Sequence, residues 1–100
     1  MSEQLLVIIA APLLEETLAD WLLQEDRLVG FSSMPIRFHG TGHSHYSIAE
    51  QVSGRQAKVM YQIQATEPIL DELVAELHAR FHGAEIHYWR TPLIGYGRLG

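Results

Sequence analysis

The chain is predicted to be an α+β sandwich of the ferredoxin-like βαββαβ type, a four-stranded antiparallel sheet with two helices on one face, and three observations predict it. Two segments carry helical apolar spacing, several short runs carry strand composition, and their order along 100 residues is strand, helix, strand, strand, helix, strand. The length holds a single domain, residues 1–100. A chain of this size buries only about 60 to 70% of its unfolded surface, so its core is thin and self-association would help it.

The first strand is read from Leu5-Leu-Val-Ile-Ile-Ala10, apolar at every position and β-branched at its centre, which suits a strand covered on both faces. Pro12 closes it and opens a helix, with Glu15 and Glu16 at the positive end of the helix dipole. Leu14, Leu18, Trp21 and Leu22 form the apolar stripe, and Glu16, Asp20 and Gln24 take the wet side. Residues 28–38 have strand composition broken by Gly30 and Pro35, which predicts an edge strand.

Residues 55–65 form the third strand. Ala57, Val59, Tyr61 and Ile63 alternate there with Lys58, Met60, Gln62 and Gln64. Thr66 is placed as the N-cap of a second helix beginning Glu67-Pro68. Its stripe is Leu70, Leu73, Val74, Leu77 and Phe81; Glu76 and Arg80 are expected to pair on its outer surface, and Gly83 to end it. Residues 85–90 are aromatic and β-prone, and Thr91-Pro92 forbids their continuation as a helix. With both helices on one face, the other face of the sheet is expected to pack against another subunit.

Composition excludes several classes of function. Seven Lys and Arg against twelve Asp and Glu give a net charge of −5 with the cations scattered singly, so non-specific nucleic-acid binding is not expected. Protonating all six histidines would carry the charge from −5 to +1. The absence of cysteine removes disulfides, thiolate metal sites and cysteine nucleophiles. The apolar run near the N-terminus follows Ser2-Glu3-Gln4, without a basic region, and is too short to span a bilayer; a cytoplasmic protein is expected.

The long connection between strands two and three is the expected functional element. A two-residue turn suffices for a hairpin, yet residues 39–53 intervene, and they read His39-Gly-Thr-Gly-His-Ser-His-Tyr-Ser-Ile-Ala-Glu-Gln-Val-Ser53. Half of the histidines, His39, His43 and His45, fall within seven positions beside Gly40 and Gly42. Neutral imidazole suits zinc, copper or nickel, and Glu50 can add an oxygen, although the spacing matches no established metal motif and solvated loop histidines are the bland alternative.

His78 and His82, one helical turn apart, form a second pair with too few ligands to hold a metal firmly. Gly95-Tyr-Gly-Arg-Leu-Gly100 matches the dinucleotide fingerprint in letters, with no helix after it to receive a pyrophosphate. Gly40-Thr-Gly42 offers amides to an anion but lacks the lysine of a phosphate loop. Ser44 between two histidines has no orienting acid.

Over nearly its whole length the sequence resembles the PII-like superfamily of trimeric signalling proteins. Leu5-Leu-Val-Ile-Ile-Ala-Ala-Pro12 resembles the family's first strand and its closing proline. Gly40-Thr-Gly-His43 and Val52-Ser-Gly-Arg55 resemble the flanks of its partner-binding loop, and Glu67-Pro-Ile-Leu-Asp-Glu-Leu73 its second helix. Tyr88-Trp-Arg-Thr-Pro92 and the loop histidines are most similar to an uncharacterised PII-like group linked to heavy-metal efflux.

The resemblance implies a non-catalytic homotrimer whose loop, including Tyr46, meets an effector or a partner such as an efflux pump. Nucleotide binding is not carried over, because the glycine-rich, basic junction of nucleotide-binding members is here only His82-Gly-Ala-Glu85. Tyr46 is likewise no secure equivalent of the family's modified tyrosine. A reading from a different class is a dimeric α+β-barrel enzyme of the monooxygenase or isomerase type, with His87 beside Tyr88 and Trp89 as acid or base between sheet and helices.

Overall fold

The computed structural model describes residues 2–39 and 56–100. Strand β1 (Glu3–Ala10) leads through a 3-10 turn (Pro12–Leu14) into helix α1 (Glu15–Leu23). Then come β2 (Phe31–Phe38), β3 (Gln56–Thr66), α2 (Glu67–Arg80) and β4 (His87–Pro92). The sheet runs β2-β3-β1-β4, antiparallel at every pairing, which with the two helices is the ferredoxin-like arrangement expected. Among the described residues, no helix is long and apolar enough to cross a membrane.

β1 is central because its residues can be buried on both sides. Leu6, Ile8 and Ala10 face the helices, where they join Leu18, Trp21 and Leu22 of α1, Val59, Tyr61, Ile63 and Ala65 of β3, and Leu70, Leu73 and Leu77 of α2 in one apolar core. Val7 and Ile9 alternate to the other face. They are nonetheless 4% and 1% exposed, with Gln62 and Met60 opposite them on β3 and Trp89 and His87 opposite them on β4. The composition of β1 thus reports burial on both faces, although the helices α1 and α2 cover only one.

Edge positions explain the prolines. Pro35 lies in β2 and Pro92 ends β4, the two outer strands, where a missing N–H need not break an inner ladder. β4 runs two residues past its expected end, because Thr91 and Pro92 still pair with Leu5 and Gln4. β2 starts three residues later than predicted, at Phe31.

The second helix departs from expectation at three details. Thr66 is the N-cap of α2 with extended backbone, but its side chain makes no capping hydrogen bond. Glu76 does not pair with Arg80: it accepts a hydrogen bond of 2.6 Å from Trp21 Nε1, while the Arg80 guanidinium lies 5.9 Å above the Phe81 ring centre. A buried indole N–H needs an acceptor, and the inward-facing Trp21 leaves Glu76 as the one within reach. α2 stops at Arg80, three residues before Gly83, which has the positive φ of 84° in the following turn.

Two further links tie the layers. The Tyr61 hydroxyl donates to the Glu15 carbonyl at 2.9 Å, and burial, with the Glu15 charge second, pushes its phenol up. Arg27, beyond α1, bonds both Glu25 and Glu72 of α2. Its side-chain and backbone hydrogen bonds hold the Glu25 carboxyl down at about 2.

Candidate functional site

The expected site begins where β2 and β3 part. Phe38 and Gln56 form the closing rung of the hairpin, so seventeen residues leave and return at one point of the sheet. His39 is the first of them and is exposed. Gly40, Gly42, His43, His45, Tyr46 and Glu50 lie outside the described residues. Among the described residues no three His, Cys, Asp or Glu side chains come together to hold a metal ion, so His39 finds no such set on the body of the fold.

The second group lies on β4 and is divided by strand alternation. His87, opposite Ile9, faces away from the helices and stacks on Phe38 with ring centres 5.4 Å apart and planes 29° from parallel. The contact joins residues of the two edge strands on the sheet face opposite α1 and α2. Tyr88, opposite Ile8, faces the helices instead, and its hydroxyl lies 3.0 Å from His78 Nε2 with the two rings edge to face at 85°. The His87, Tyr88 and Trp89 centre of the enzyme reading therefore does not assemble between sheet and helices: neighbours on a strand point to opposite faces.

The described residues place one unforeseen concavity near this contact. It measures about 300 Å³, with Leu77, Phe81 and Ile86 providing its apolar lining and His78, His82, Glu85 and Tyr88 its polar one. The turn that shapes its edge carries the positive φ angles of the described residues, Gly83 at 84° and Glu85 at 56°. His78 on α2 and His82, which lies in the turn beyond the helix and not on it as expected, do share this place, with the Tyr88 hydroxyl beside His78. No set of three metal-ligating side chains forms among the described residues. Periodicity on α2 alone cannot reveal the contact; the parity of Tyr88 with the core-facing residues of β1 is the signal that points to it.

Comparison with known proteins agrees with this geometry. The family model described as "Protein of unknown function (DUF3240)" matches residues 1–100. A crystal structure of a DUF3240 family protein from Shewanella baltica superposes with a TM-score of 0.81 at 23% identity, covering 100% of this chain and 99% of that one. The nitrogen regulatory PII-like protein CPII from Thiomonas intermedia, solved with ADP, AMP and bicarbonate, gives a TM-score of 0.69 at 16% identity, covering 98% of each chain. A putative PII-like signalling protein from Thermus thermophilus gives 0.65 at 15% identity, covering 93% of this chain and 90% of that one. No curated protein matches the sequence. At these identities the solved structures speak for the fold alone, a PII-like one, while the match along its full length makes this chain a member of the DUF3240 family.

Proposed function

We propose that the chain is a non-catalytic, PII-like regulatory or adaptor subunit that works as a homotrimer and meets its partner through the connection between β2 and β3. The observation that carries this reading is the closing rung at Phe38 and Gln56: a hairpin that a two-residue turn would join instead presents seventeen residues at one end of a rigid sheet. The PII-like signalling and nitrogen regulatory proteins among its structural neighbours support the regulatory class. The sheet face opposite α1 and α2, where Met34 and Trp89 are 40% and 45% exposed, supports the assembly.

In this reading a divalent ion such as zinc, copper or nickel is the effector, held by His39, His43 and His45 with Glu50 in reach along the chain. Neutral imidazole nitrogens suit these borderline ions, and binding favours whichever conformation brings the three together. A membrane efflux pump is the partner class that a metal-responsive adaptor of this kind would serve.

Calorimetry with each of the three metals tests the effector, and hydrogen exchange tests where it acts. Metal is expected to protect residues 39–53 from exchange. Changing His43 and His45 together to alanine is expected to abolish that protection while moving stability by less than about 0.5 kcal/mol. Protection that survives the double change, or no heat with any of the metals, overturns the metal assignment.

A further inference from the structure

We propose that residues 93–100 form an assembly arm that adds as a strand to the β2 edge of a second copy of this chain, an inference that rests on the homotrimer put forward above. Among the described residues, the last backbone bond holding this stretch to its own sheet is Leu93 N–H donating to the Glu3 carbonyl at 3.1 Å. Beyond it the chain runs without helix or strand, and Ile94, Tyr96 and Leu99 are 106%, 58% and 102% exposed. Open space surrounds the positions where a Cβ would stand at Gly95 and Gly97. Single exposed apolar side chains are ordinary, but three in one segment that touches little of its own body mark a surface made for another.

The pattern within the arm fits strand addition. Ile94 and Tyr96 alternate with Gly95 and Gly97, so an extended backbone there has side chains on one face and bare backbone on the other. Such a segment can lie close against a neighbouring sheet with its backbone groups free to pair. It carries Arg98 and no acid, a charge of +1 that leaves −6 on the remainder of a chain whose total is −5. An arm of that sign is drawn to another acidic copy, not repelled by it.

Symmetry selects the edge. A three-membered ring contains no two-fold axis, so the β4 side of one copy has to meet an unlike surface on the next. Among the described residues the other outer strand of the sheet is β2, where Ser32, Ser33 and Met34 are exposed ahead of Pro35. Every second residue of an edge strand turns its N–H away from its own ladder, so this stretch has backbone N–H to give to an added strand, whereas Pro35 has none.

The chain has no cysteine, so introduced pairs report cleanly. Tyr96→Cys combined in turn with Ser32→Cys, Ser33→Cys or Met34→Cys is oxidised in the full-length protein, with Tyr96→Cys plus Leu13→Cys on the helix side as control. Covalent multimers are expected with a β2 partner and none with the control. In parallel, a chain ending at Leu93 is expected to associate at least tenfold more weakly by sedimentation, with an unchanged far-ultraviolet spectrum. A full-length protein that is monomeric at every concentration overturns the homotrimer itself. A full-length protein that associates, does not cross-link from position 96 to any β2 position and loses nothing on shortening overturns the arm alone.

Discussion

Replacing Ile8 with alanine is expected to lower the free energy of unfolding by about 3 to 4 kcal/mol and the melting temperature by roughly 15 °C. Ile8 is fully buried, sits on the central strand between Tyr61 of β3 and Tyr88 of β4, and belongs to the core that both helices cover. Removing its branched side chain leaves a cavity that strands paired on both sides cannot close by moving. Leu13→Ala is the matched control: Leu13 is 92% exposed, and its loss is expected to cost less than about 0.5 kcal/mol. Urea melts at one protein concentration check both, since assembly would otherwise add its own concentration-dependent stability. A cost below about 1 kcal/mol for Ile8→Ala would mean that β1 does not organise the core.

Trp89→Asp is expected to weaken association more than a hundredfold while leaving the fold intact. Trp89 pairs with Val7 on the sheet face opposite α1 and α2 and is 45% exposed, so a carboxylate there stays solvated in a lone subunit. Burying that carboxylate unpaired in a subunit interface costs on the order of 3 kcal/mol per copy, and each 1.4 kcal/mol is tenfold in affinity. Sedimentation of the variant beside the unaltered protein, with circular dichroism as the check on folding, decides it. An assembly as tight as the original would show that the subunits meet elsewhere.

Much of the architecture is legible in the sequence because local pattern and global fold agree. The β-branched run of β1, the leucine stripes of both helices, the alternation in β3 and the proline in β2 each name an element and its place in the layers. What escapes is what depends on distance in sequence. Glu76 looks like the helical partner of Arg80 until Trp21, fifty-five positions away, presents an indole N–H to it. His78 and Tyr88 meet because the end of α2 lies over β4, which no spacing on either element states.

The site is less legible than the fold for the same reason. Alternation places Tyr88 toward the helices and His87 away from them, so adjacency in sequence is not adjacency in space. Composition singles out the loop histidines, a signal that names residue types without their geometry; of that set, His39 is the one among the described residues.

The central proposal is that this sheet, covered by α1 and α2 on one face, belongs to one third of a ring of identical subunits. Sedimentation equilibrium of the unaltered protein over a wide concentration range measures this most directly. A single species of about 34 kDa, three times the chain mass of 11.3 kDa, is the expected result. A monomer at every concentration, or a stable dimer, would contradict it.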